Sequence, residues 1–370
     1  VFLQQLGRGL RLAEDKDCLT VLDFIGQANK RYNFEDKFAA LLSNTTRSVT
    51  REIKDGFVSV PKGCYIQLEK KAAKYILENI RASYGNSAGL VSRLESFSED
   101  SGLPLTFANF FDYYHLNPRT VYKFSSFSRL CTRADVMPDF EESLEIIMTK
   151  AFPRFAMLDS RRFIRFLLRA LKENVEIVTE AEQRMLQMLQ FTVWQKSFED
   201  CGFTDVMDGI RSIKRYPVMC NELIELLEYN YSQIDFIDEP VDVGFDCPLD
   251  LHCSYTRDQV LTAFDFLKPS TVREGVKYLP EKKTDIFFVT LNKSDKDYSP
   301  TTMYNDYSIN DVLFHWQSQS TTAADSTTGQ RYIQHRERDN RILLFVREFK
   351  KDRITGDAAA YTYLGTASYV

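Results

Sequence analysis

Nowhere in these 370 residues is there a G-x-x-x-x-G-K-[ST] loop, and no D-E-x-H or D-E-A-D run occurs either. Without a loop to cradle phosphates and an acidic pair to hold magnesium, the chain by itself is not expected to hydrolyse ATP. It also lacks a run of about 18 apolar residues, so no membrane span is expected, and no leader pattern is visible. The seven cysteines never fall in C-x-x-C and are odd in number, which fits a reduced, cytoplasmic setting better than a disulfide framework. Cys247, His252 and Cys253 are close enough in sequence to suggest zinc, but a fourth ligand and a paired knuckle are missing, so they are read as buried thiols and no metal site is assigned. The formal net charge of −5 excludes indiscriminate binding of polyanions by the whole surface, so any nucleic-acid contact has to come from local patches.

What is present is a globular composition, 44% hydrophobic and 27% charged, with 28 Phe and 19 Tyr. The pattern divides into residues 1–45, a mixed connector at 46–103, a helical region at 104–237 and a β-rich region at 238–370. In the connector a short extended stretch at 57–61 precedes helical spacing at Ala72, Ala73, Ile76, Leu77 and Ile80. In the helical region Thr106 and Ser160 (or Asp159) stand where helix caps are expected, Pro118 opens a helix, and further helices cover Met185 to Trp194 and Pro217 to Tyr231. Arg161, Arg162, Arg165, Arg169 and Lys172 ring one of these helices and are read as a solvated face rather than a phosphate surface. The short helices around 115–130 have helix-turn-helix spacing, which many three-helix packings share.

The first residues carry the sharpest motif, Gln4-Gln5-Leu6-Gly7-Arg8-Gly9-Leu10-Arg11, followed by the apolar run 18–26 ending in Gly26. Q-x-x-G-R-x-x-R resembles motif VI of superfamily 2 helicases, the arginine-finger segment of their second RecA-like lobe, and the run after it resembles the strand that follows. The resemblance implies that Arg8 and Arg11 reach the γ-phosphate of ATP and that Gln4 and Gly7 shape the ATP-binding loop. A guanidinium suits that task because it stays charged and forks onto two phosphate oxygens. Since the motif lies at the start and no Met precedes it, the chain is expected to be a fragment. The parent would be a bacterial motor using ATP and Mg, with neither bound by this fragment alone, and an N-terminal helicase lobe as its partner.

From about residue 240 the pattern changes. Thr256 is expected to cap one helix, and strands are expected at 286–291, 309–318, 342–346 and 361–365, which suggests a compact barrel-like domain. From Asp246 onward, stretches such as Tyr298-Ser299-Pro300-Thr301-Thr302-Met303-Tyr304 and Phe314-His315-Trp316-Gln317-Ser318-Gln319 resemble the uncharacterised C-terminal domain appended to certain bacterial superfamily 2 helicases. The whole is therefore expected to be α+β and multidomain: a RecA-like α/β remnant, a mainly helical middle and a β-rich, barrel-like end.

Strand alternation places Phe314 and Trp316 on one face and His315, Gln317 and Gln319 on the other, a row of donors and acceptors suited to base edges. The stretch 326–331 reads as a loop in which Thr328, Gln330 and Arg331 suit a phosphate. Residues 331–353 hold eight Lys or Arg against four Asp or Glu, a basic tilt in an acidic chain. These residues point to DNA, preferentially double-stranded. One rival reading is a protein-interaction module linking the motor to a nuclease partner. Another is a metal-dependent nuclease built on Glu281-Lys282-Lys283 with Asp265 or Asp285.

Overall fold

The computed structural model describes residues 86–370 apart from 115, 273–274, 294–305, 311, 319–321 and 353, together with 18–22, 38, 52–53, 56–57, 60, 64–73 and 76. The motif at 4–11, Gln319 and much of the expected helix at 69–80 thus lie outside the described residues. The chain divides into two compact units, one of residues 1–117 with 133–136 and one of 118–132 with 137–370.

In the first unit α1 (Ser87–Ser101) starts at Asn86, whose side chain accepts from the Gly89 amide, and α2 (Phe107–Tyr113) starts at Thr106, which accepts from Asn109. Both caps satisfy amides that a helix start leaves unpaired. Phe97 packs against Phe110 and, edge-on, against Tyr113 and Tyr114, which makes a small aromatic core.

The second unit holds α3 (Pro118–Tyr122), α4 (Phe127–Arg133), α5 (Glu145–Phe155), α6 (Arg161–Lys172), α7 (Glu180–Val193), α8 (Met207–Lys214) and α9 (Pro217–Gln233). Ser160 caps α6 and Thr179 forms a capping box with Glu182 on α7, both from the side-chain oxygens that helix starts favour. The start of α4 is served from a distance: fully buried Glu222 of α9 accepts from the Phe127 and Ser128 amides at 2.7 and 2.8 Å. Burial, the largest influence, pushes this carboxyl up to about 7, against the downward pull of those amides.

Two short strands, β1 (Glu239–Pro240) and β2 (Asp250–Leu251), pair antiparallel and lead into β3 (Ser254–Tyr255). Helix α10 (Arg257–Ala263) begins at Thr256 with the expected cap, here a capping box with Gln259. Then come β4 (Val276–Leu279), β5 (Thr284–Asn292), β6 (Tyr307–Ser308), β7 (Phe314–His315), α11 (Thr327–Ile333), β8 (Arg341–Phe349) and β9 (Tyr361–Ala367).

The expected strands at 286–291, 342–346 and 361–365 are present as β5, β8 and β9, but they form no closed barrel. They belong to an open five-stranded sheet in the order β3-β9-β8-β5-β4. At its centre β5 and β8 run parallel, Thr284 opposite Arg341 through Asn292 opposite Phe349, while the other pairs are antiparallel. A parallel pair needs a long crossover and cover on both faces, and β5 is buried along its first seven residues. On one face Phe287, Val289, Ile342, Leu344 and Val346 pack with Tyr332, Phe314 and Trp316, all three supplied by the crossover. On the other, Phe345 stacks on Tyr363 at 4.5 Å and Phe288 meets Tyr361 at 5.1 Å.

Candidate functional site

Within the crossover, the stretch 309–318 is not one strand. Among its described residues only Phe314–His315 is extended and paired, and the chain reverses just before it. Asn310 causes the reversal: its Oδ1 accepts from the Val312 and Leu313 amides, each at 2.9 Å, and Ile309 donates to the Leu313 carbonyl at 2.8 Å. An asparagine side chain that imitates a backbone acceptor is a common turn device. The result is a hairpin, β6 against β7, with Tyr307 opposite His315.

The hairpin's base is fixed by a buried charge. Asp306 takes the Lys293 ammonium at 2.7 Å and the Gln317 amide at 3.0 Å. Alternation holds beyond it: Phe314 and Trp316 face the core, with Trp316 at 4.2 Å from Phe287, while Gln317 is exposed and His315 half-buried. The His315 ring lies 4.9 Å from that of Tyr307, tilted by 32°, and Tyr307 is 51% exposed. Ile309, Val312 and Leu313 crown the turn and are also exposed, Val312 at 87%. Sequence reasoning singled out His315 and Gln317 but not Tyr307, which only the register brings beside His315.

The stretch 326–331 is no loop. Ser326 caps α11, accepting from the Gly329 amide at 3.0 Å, and Thr328, Gln330 and Arg331 all lie on the helix. Gly329 does not lend flexibility, because a Cβ there would stand 2.2 Å from the Ala323 carbonyl oxygen. Gln330 donates to the Ala324 carbonyl at 2.8 Å and Thr328 is half-buried. Arg331 is engaged within the fold: its guanidinium grips both oxygens of fully buried Asp285 at 2.8 and 2.9 Å and lies 3.8 Å over the Tyr278 ring. The structure therefore groups His315 and Gln317 on the hairpin, and sets Arg331 into a core ion pair.

The carboxylates of the nuclease reading are occupied as well. Asp265 pairs with Arg184 at 3.0 Å and Lys282 at 2.6 Å, while Asp285 holds Arg331 and the Asn340 amide. Glu281-Lys282 lies in a 3-10 turn at Pro280–Lys282. Among the described residues the ligand atoms that converge, within 4.8 Å, belong to Asp238, Asp250 and Cys253, and neither Cys247 nor His252 joins them. Arg161 and Arg162 already supply positive charge there, pairing with Asp238 at 2.7 Å and Asp250 at 2.8 Å.

Residues 249–370 match the family described as Domain of unknown function (DUF3427). No curated protein and no solved structure matches the chain. The match begins close to Asp246, from which the sequence resembles an uncharacterised C-terminal domain. No helix of the described residues is long and apolar enough to cross a membrane.

Proposed function

We propose that the chain serves an ATP-driven motor of the superfamily 2 helicase kind, and that its C-terminal domain engages the nucleic acid. The observation that carries the contact is the hairpin: an exposed Tyr307 ring paired with His315, with Gln317 exposed two residues further along the same strand end, on a turn anchored by the buried Lys293–Asp306 pair. An aromatic ring offers a stacking surface to any base, and donors at its edge add hydrogen bonds. A rigid base makes such a surface effective, since little order has to be imposed on binding. The motor itself rests on the sequence of residues 4–11, with Arg8 and Arg11 as fingers, Gln4 and Gly7 around them, and ATP and Mg held by a partner RecA-like lobe.

A second reading follows from the apolar crown. Ile309, Val312 and Leu313 together are the kind of exposed patch that docks a protein, which fits a module joining the motor to a nuclease. Fluorescence anisotropy of the chain with single-stranded and duplex DNA across a salt series separates the two. Binding whose log affinity falls with log salt, weakened about tenfold by Tyr307→Ala through lost stacking, supports nucleic-acid contact. Folded protein that binds no DNA at low salt overturns it in favour of docking.

A further inference from the structure

An open cleft of about 760 Å³ runs between α6, the start of α7 and the segment 234–250. Four arginines of α6 line it, Arg161, Arg162, Arg165 and Arg169, with Phe166 and Met185 at its apolar floor. They are not the freely solvated face that their spacing suggests. The segment 234–250 carries six acidic residues, and Asp238, Asp246 and Asp250 of this strap line the cleft.

There its carboxylates sit as bound anions would. Asp238 accepts from the Arg161 amide at 3.1 Å and from its guanidinium at 2.7 Å, and Asp246 accepts from the Ala181 amide at 3.0 Å, at the first turn of α7. Asp250 pairs with Arg162 at 2.8 Å. Helix-start amides together with guanidinium forks are also what phosphate oxygens select.

Farther along α6, Arg165 and Arg169 make no pair with the strap among the described residues. Arg165 is exposed, donates to the Tyr231 hydroxyl at 2.8 Å and lies 5.3 Å over that ring; among the described residues it pairs with no carboxylate. One turn on, Arg169 is 46% exposed on its pair with Glu182. Residues four apart on a helix are neighbours, so the two guanidinium groups border one stretch of the cleft.

We propose that the Arg165–Arg169 stretch of this cleft binds the phosphodiester backbone of a nucleic acid, with Arg165 and Arg169 as phosphate ligands beside a strap whose carboxylates mimic phosphates. The inference rests on the nucleic-acid reading above and adds to it the place where the backbone is held.

The test is anisotropy of the chain with a labelled single-stranded oligonucleotide across a salt series, comparing wild type, Arg165→Glu, Arg169→Glu and, as a net-charge control, Arg211→Glu on α8. Each cleft reversal is expected to weaken binding tenfold or more and to lower the log–log salt slope by about one, with little change from Arg211→Glu. Should Arg165→Glu prove unstable in thermal melts, Arg165→Gln is read instead, with a smaller loss. Cleft variants that bind like wild type, or lose no more than Arg211→Glu, overturn the inference while leaving the hairpin reading standing on Tyr307→Ala. No binding by wild type overturns both. Displacement of the oligonucleotide by inorganic phosphate, beyond that by chloride at equal ionic strength, would assign the cleft to free phosphate and overturn the backbone.

Discussion

Asp285 is fully buried, and its two oxygens take both prongs of Arg331 and the amide of Asn340. Removing the arginine would leave a carboxylate inside the protein with one neutral donor. Breaking a buried pair from one side costs about 3–5 kcal/mol. Arg331→Ala is therefore expected to shift the urea unfolding midpoint strongly, and Arg331→Lys to shift it less, since charge is kept and the fork lost. If Arg331→Ala instead lowered DNA affinity at an unchanged midpoint, the residue would be a ligand contact and the ion pair incidental. Glu222 gives a pH-dependent counterpart. Its folded value of about 7 lies above the 4.5 of an ordinary glutamate, so the native state holds the proton more tightly. Its stabilising contribution is complete below about 4.5 and is lost as pH rises through about 7. Glu222→Gln is expected to flatten the fall in stability across that window, by at most roughly 3 kcal/mol. A wild-type curve level between these limits, measured by urea titration at several pH values, would refute it.

Helix α11 depends on a glycine that its sequence makes look like a loop residue. Gly329→Ala drives a methyl into the Ala323 carbonyl, a backbone atom that cannot swing aside, and should cost roughly 1–3 kcal/mol by overpacking. A thermal melt of the variant that matches wild type would mean the turn before α11 yields freely. The hairpin makes a parallel case. Asp306→Asn keeps an acceptor for the Gln317 amide but removes the charge that faces Lys293, so amide exchange should quicken across 306–317 and not in β8. Equal acceleration in both would show that the pair serves the sheet as a whole. These two elements also show where sequence reasoning stops. The strands β5, β8 and β9 could be read because their apolar runs are continuous, and Thr106, Ser160 and Thr256 could be read as caps because the side chain acts on an amide three residues on. Ser326-Thr327-Thr328-Gly329 has low helix propensity, and the cap at one end, Tyr332 packed against Trp316 and Arg331 held by Asp285 favour the helix from outside it. The sheet was expected to close because local pattern does not say that strands 57 residues apart, Thr284 and Arg341, lie parallel. For the same reason the site was only half visible. His315 and Gln317 follow from alternation, but Arg331 meets Asp285 across 46 residues, and Arg165 donates to the Tyr231 hydroxyl across 66.

Across the second unit, helices and sheet are tied by contacts that neither half could satisfy alone. Arg184 of α7 reaches Asp265 at 3.0 Å and the Asp246 carbonyl at 2.8 Å, and buried Gln259 of α10 donates to Thr192 of α7 at 2.9 Å. Ser160 at the start of α6 donates to Asp250 on β2 at 3.1 Å, and Arg119 of α3 pairs with Asp352 beyond β8. Polar groups in such bonds are expensive to bury unpaired, so unfolding one half would strand partners in the other. The family match starting at residue 249 covers the sheet but not the helices that complete these bonds. Cooperative unfolding of the two halves together is the consequence. The chain's 2 tryptophans allow it to be checked, since Trp194 ends α7 against Phe203 at 5.2 Å while Trp316 lies on the sheet against Phe287. Single-tryptophan variants, Trp316→Phe and Trp194→Phe, each paired with Arg184→Ala as a common destabilising change, should show that change lowering the fluorescence midpoint of both reporters by the same amount. A shift confined to Trp194 would mean that the sheet stands without the helices, and that the bonds between them report proximity rather than dependence.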